Sequence, residues 1–101
     1  MAADAVFAAL ADPTRRHLIE ALAGRPASAT SLAADLPISR QAVAKHLAGL
    51  RSARLVTVKR SGREALYSLD PAPLTDAAEW IARVGAEWDR RLADLWRALE
   101  D

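Results

Sequence analysis

The chain has 101 residues, 51% of them apolar, with 14 Lys/Arg, 13 Asp/Glu and no cysteine. That length fits one domain (1–101) with a modest core, the apolar share argues against a disordered chain, and the missing thiols exclude disulfides, thiolate metal sites and thiol catalysis. No apolar run reaches the roughly 20 residues of a membrane span, and the N-terminus lacks a basic-then-apolar signal pattern, so a soluble, cytoplasmic protein with no membrane partner is expected.

Val6, Phe7 and Leu10 recur at helical spacing and predict a short helix over about 3–11. In "DPT", Asp12 can cap a new helix and Pro13 suits its first position, giving a second helix from about Thr14 to Ala23, ended by Gly24. "RPASA" (25–29) reads as a loop, and Ser28 can cap a third helix through Asp35 that buries Leu32 and Ala33. Pro37 forbids continuation through "LPI", and Ser39 caps a fourth helix to about Ser52. In 55–69, Val56 and Val58 alternate with Thr57 and Lys59, Tyr67 and Leu69 alternate with Leu66 and Ser68, and Ser61-Gly62 separates the two runs, which predicts a β-hairpin with arginines at its tip. After "DPAP" a proline-free segment, about Leu74–Leu99, reads as one long helix. Three helices around a tight turn, a fourth, a hairpin and a last helix give a mainly α fold with a β-hairpin wing: a winged helix-turn-helix. Its helix-turn-helix occupies about 28–52, its wing 55–69 and its C-terminal helix 74–99.

The net charge of +1 hides an asymmetry. Residues 1–68 carry ten Lys/Arg and five Asp/Glu, or +5, whereas residues 69–101 carry four and eight, or −4. Ser39–Arg63 holds seven basic residues and no acid; a polyanion is the simplest partner for such a stretch, and a basic surface balanced by the acidic tail is the alternative. Stepping about 100° per residue along the fourth helix, Val43, Leu47 and Leu50 form a narrow inward stripe. Gln41, Lys45, Ala48 and Ser52 lie opposite, with Ala42 and Gly49 off the core and His46 on the boundary. Small residues let a backbone approach a surface, and Gln and Lys can then reach base edges in a major groove. Arg40 and Ser39 sit at the helix N-terminus, which favours phosphate.

"ALADPTRRHLIEAL" (9–22), "LAADLPISRQAVAKHLAGLRSARLV" (32–56) and "VKRSGREALYSL" (58–69) together resemble the ArsR/SmtB family of winged-helix repressors. "EWIARVGAEWDRRLADLWRALE" (79–100) resembles the branch without metal sites, often autorepressors. The resemblance implies a homodimer built on the first and last helices, with double-stranded operator DNA as ligand. It implies a recognition helix over 39–52 with base-facing Arg40, Gln41, Ala42 and Lys45. It implies phosphate contacts from Ser39, His46, Thr30 and Ser31, and wing contacts from Lys59, Arg60 and Arg63. Where metal-sensing members carry two cysteines, this chain has Leu32 and Ala34, and its last helix has no histidine, so neither metal nor another cofactor is expected. Arg54 stands where glycine is usual after the recognition helix, a position that often needs positive φ and is costly for arginine; a different exit from the helix is one outcome. Pro37 replaces a common glycine in the turn, putting its local geometry in question.

The apolar face of the last helix, with Trp80, Ile81, Val84, Trp88, Leu92, Leu95, Trp96 and Leu99, is too wide for a lone surface helix. Core on one side and a dimer interface on the other, shared with Val6, Phe7 and Leu10, is the favoured reading. A pocket for an apolar inducer of unknown identity is the alternative. No phosphate loop or paired-carboxylate motif is present, and caps and the fourth helix account for the serine and histidine candidates, so no enzyme is expected. A winged-helix module docking an acidic protein is the remaining alternative to an operator-binding repressor.

Overall fold

The three predicted capping residues set the frame of the helices. Asp12 Oδ1 accepts from the backbone N–H of Thr14 at 2.8 Å and of Arg15 at 3.1 Å. Ser28 Oγ accepts from Ser31 N–H, and Ser39 Oγ from Ala42 N–H, each at 3.1 Å. Each side chain satisfies donors that a helix start leaves without an intrahelical partner. In the computed structural model, which describes residues 2–100, the chain runs α1 (Ala2–Leu10), α2 (Pro13–Gly24), β1 (Ala27–Ser28), α3 (Ala29–Ala34), α4 (Arg40–Ser52), β2 (Val56–Ser61), β3 (Glu64–Leu69) and α5 (Ala72–Glu100). Mainly α, with a small antiparallel wing and a terminal helix, this is the expected winged helix-turn-helix.

Val6, Leu18, Val43, Leu47, Leu50 and Leu55 are the largest fully buried side chains, so α1, α2, α4 and the approach to β2 close on one core. Leu36 and Ile38 pack against it from the turn around Pro37. The stripe predicted on α4 is the one buried: Val43, Leu47 and Leu50. Val6 has no surface left for a partner, which corrects its expected place in a dimer interface; of the α1 candidates only Phe7 and Leu10, both half-buried, retain any.

α4 ends in the ordinary way, by strain rather than by a different exit. Arg54 takes φ 62°, the left-handed region. Its N–H bonds Arg51 O at 3.0 Å and Leu55 N–H bonds Leu50 O at 3.0 Å, the paired closure of a Schellman motif, with buried Leu50 and Leu55 as its hydrophobic contact.

The hairpin pairs Val56 with Leu69, Val58 with Tyr67, Arg60 with Ala65 and Ser61 with Glu64. Its two-residue loop is therefore Gly62-Arg63, one residue later than the predicted Ser61-Gly62. Gly62 has φ 64° while Arg63 does not enter the left-handed region, the sign pattern of a II′ hairpin turn, which requires glycine first. The sheet has a third strand where a loop was expected. β1 pairs antiparallel with β3, Ala27 opposite Tyr67 and Ser28 opposite Leu66, in the order β1-β3-β2. Two residues are too few to show alternation, and β1 exists only because β3 offers it a free edge.

The 29 residues of α5 would span about 44 Å at 1.5 Å each, and only the first turns meet the body. Ala77 is buried, and the Phe7 and Trp80 rings meet edge to face with centroids 5.5 Å apart. From Ala78 to Glu100 every residue is exposed, and the molecule is correspondingly elongated, 69 × 25 × 22 Å.

Candidate nucleic-acid interface

Capping by Ser39 aims the first turn of α4 away from the core. Ser39, Arg40, Gln41 and Lys45 are all exposed, as are Thr30 and Ser31 on α3, whereas Ala42 is half-buried. Ser39, Arg40, Gln41 and Ala44 line one shallow surface concavity. Next to it, a cleft of ≈ 300 Å³ opens between α4 and the wing, lined by residues that include Thr30, Arg40, Ala44, Arg60, Arg63, Glu64 and Tyr67. Three guanidinium groups from three elements thus border one concave surface, with Glu64 the single acid among the lining residues.

Strand alternation divides the wing candidates. Arg60 shares a face with Val58, Ala65 and Tyr67, the face turned to the cleft, while Lys59 lies on the opposite face with Thr57, Leu66 and Ser68. Arg63, in the turn, borders the cleft. The wing therefore presents a two-sided tip rather than one basic surface.

A helix-turn-helix domain family matches residues 10–59. The HTH-type transcriptional regulator Rv2034 of Mycobacterium tuberculosis (strain ATCC 25618 / H37Rv) is 48% identical over 71 residues, covering 70% of this chain and 66% of that protein. The transcriptional repressor SdpR of Bacillus subtilis (strain 168) is 34% identical over 76 residues, covering 75% of this chain and 84% of the relative. Among solved structures, the ArsR-like transcriptional regulator from Rhodococcus sp. RHA1 superposes with a TM-score of 0.82 at 47% identity, over 93% of this chain and 89% of that one. The chain belongs to the ArsR/SmtB family. It is a helix-turn-helix transcriptional regulator, and its relatives are regulators rather than enzymes.

Within this ArsR/SmtB regulator, one residue sits differently from the reading of the sequence, and a second, His46 on the boundary, has a partner that reading did not give it. Gly49 does not belong to the open face. It is half-buried, and the Arg15 guanidinium of α2 occupies the space a side chain would need, with Cζ 2.7 Å and Nε 3.2 Å from where a Cβ would stand. His46 is half-buried too, its Nδ1 lying 3.9 Å from Asp12 Oδ2 and without a hydrogen bond. Asp12 thus caps α2 with one oxygen and faces α4 with the other. The Arg15 backbone N–H above all, then that of Thr14 and the His46 and Arg15 charges, hold its carboxyl below the usual 3.8 despite the opposing effect of desolvation.

Sequence reasoning missed this junction because Asp12 and Arg15 are far from α4 along the chain. The available signal was a glycine inside a helix that is otherwise well formed, which points to close packing. Among the described residues no group of three or more His, Cys, Asp or Glu lies close enough to hold a metal ion, and no helix is long and apolar enough to cross a membrane.

Proposed function

We propose that the chain is a homodimeric repressor whose two α4 helices enter successive major grooves of a roughly palindromic operator. The observation that carries this reading is the exposed Ser39–Arg40–Gln41–Lys45 surface of α4 beside the arginine-bordered cleft. A helix with hydrogen-bonding side chains on its open face, flanked by cations, suits base edges between two phosphate backbones. Gln41, Lys45 and Arg40 read bases, with Ala42 against the groove floor. Ser39, Thr30, Ser31, Arg60 and Arg63 hold phosphate or the flanking minor groove; Lys59 approaches from the other face of the wing, and His46 contributes from the α4 flank. Two-fold symmetry sets half-sites one helical turn apart, roughly 10 bp between centres.

Dimerisation through α5 is supported by its unpartnered apolar face. Trp80, Ile81, Val84, Trp88, Leu92, Leu95, Trp96 and Leu99 are 38–69% exposed, more contiguous apolar surface than a monomer ordinarily leaves in water. Phe7 borders it from α1 through Trp80, and Leu10, half-buried on the same helix, is assigned to the same interface. Repression is supported by SdpR, whose name describes a transcriptional repressor. Cysteine-based metal sensing is not part of the proposal, because the chain has no thiol.

A gel-shift titration with the DNA upstream of the chain's own gene, in excess random competitor, tests the reading. A discrete complex that survives competitor is expected. A folded protein that shifts no duplex, or shifts every duplex alike, overturns it in favour of a protein-docking module.

A further inference from the structure

We infer that Arg15, on α2 and outside both the helix-turn-helix and the wing, is a DNA-phosphate contact, delivered to the α4 flank opposite the wing by the missing side chain of Gly49. The inference rests on the DNA-binding reading above and adds a residue to it. Its first support is the guanidinium's position. It stands where a Cβ at residue 49 would collide with it, so the glycine makes room for the cation rather than for DNA.

Its second support is that one donor of the guanidinium lacks a partner within the fold and that the side chain closes no ion pair among the described residues. Arg15 Nε is buried with no hydrogen-bond partner, and the side chain joins no ion pair among the described residues. Buried polar groups without partners are uncommon and call for an acceptor. The acid on this flank is Asp12, whose Oδ1 is committed to the α2 amides and whose Oδ2 faces His46. The Arg15 charge helps hold the Asp12 carboxyl low, but among the described residues no carboxylate closes an ion pair with the guanidinium.

The third support is geometric. On a helix stepping about 100° per residue, Gln41 and Lys45 centre the open face, Arg40 and Ala44 lie about 80–120° to one side and Gly49 about 60° to the other. A major groove about 12 Å wide is filled by a helix about 10–12 Å across. The two flanks of that helix therefore face the two phosphate walls. Arg40, Arg60 and Arg63 serve one wall from the cleft; Arg15 is the half-buried cation held against the other.

The test is a salt titration of binding to a fluorescent duplex of arbitrary sequence, measured for the full chain between about 0.05 and 0.25 M salt. Arg15→Gln is expected to weaken binding about tenfold on every sequence, the size of one charge-assisted contact. It should also flatten log K against log salt by about 0.9 for each protomer engaged. Arg15→Lys should keep the wild-type slope. Gly49→Ala should weaken binding in the wild-type background and do nothing further in Arg15→Gln. A purely structural arginine would lower the melting temperature of Arg15→Gln and leave the salt slope untouched, which overturns the inference while leaving the DNA reading intact. A wild-type chain that binds no duplex overturns both.

Discussion

Gly49→Ala should have different consequences in two backgrounds, and the difference depends on Arg15. Alanine is the better helix former by about 1 kcal/mol in a helix interior, so Gly49→Ala ought to stabilise α4. In the folded chain, however, the new Cβ would stand 2.7 Å from Arg15 Cζ and 3.2 Å from Nε. Ordinary contact begins near 3.4 Å, so the guanidinium must withdraw by the better part of an ångström. Its Nε is already buried, and movement breaks its packing on α4. Clash and propensity therefore oppose each other; the atoms that must move are the end of a flexible side chain, so the single substitution should fall short of the full propensity gain. Once Arg15→Ala removes the obstruction, the same Gly49→Ala should gain about 1 kcal/mol, or roughly 4–8 °C in Tm for a domain of this size. Urea denaturation of the four proteins at one protein concentration reads the cycle. A coupling above about 0.5 kcal/mol is expected, since residues in contact are non-additive. Additivity to within about 0.3–0.5 kcal/mol would refute the placement of Arg15 over Gly49.

Three further outcomes follow from the geometry. Arg54→Gly should stabilise the fold by about 1 kcal/mol by removing a side chain from a left-handed residue, read as a higher urea midpoint; no gain would mean Arg54 makes compensating contacts. Trp88→Asp should dissociate the dimer proposed above. Burying such a side chain contributes about 2 kcal/mol, and a two-fold interface loses it twice, so the dimer Kd should rise roughly a thousandfold in sedimentation equilibrium; an unchanged mass would remove α5 from the interface. Asp12→Asn should reduce the acid sensitivity of folding while keeping the cap, because asparagine caps as well as aspartate. The Asp12 carboxyl titrates below 3.8 in the fold, so its charge contributes stability above that pH and loses it as pH falls through the folded value. Thermal melts between about pH 2 and 6 should show a shallower acid decline in the variant than in the wild type.

The parts of this fold that were legible in the sequence are those decided within a few residues. Asp12, Ser28 and Ser39 each cap a helix that starts at the next residue, and the stripe Val43, Leu47 and Leu50 follows from helical spacing. The hairpin was visible in its alternation, though its loop fell one residue later because Ser61 pairs with Glu64. What failed depends on residues distant in the chain. β1 is a strand only by courtesy of Tyr67 and Leu66. Gly49 is off the core by helical spacing, yet Arg15 from α2 covers it, and the Asp12 carboxylate 3.9 Å from His46 comes from a distant part of the chain. Val6 shares helical spacing with Phe7 and Leu10, yet its face of α1 is wholly inside, while Phe7 is rotated by one residue and Leu10 sits at the helix end. Arg54 is the instructive middle case. The sequence located the position that needs a left-handed residue, and the Leu50–Leu55 closure holds arginine there regardless.

The most direct measurement is selection of bound duplexes from a fully randomised DNA pool by the wild-type chain, followed by sequencing. Enrichment of an inverted repeat with half-site centres roughly 10 bp apart, whose base preference relaxes at one symmetric pair of positions in Gln41→Ala, is the predicted result. Recovery of an unenriched pool, or of a motif that Gln41→Ala and Lys45→Ala leave unchanged, would contradict the assignment of α4 as the reading element.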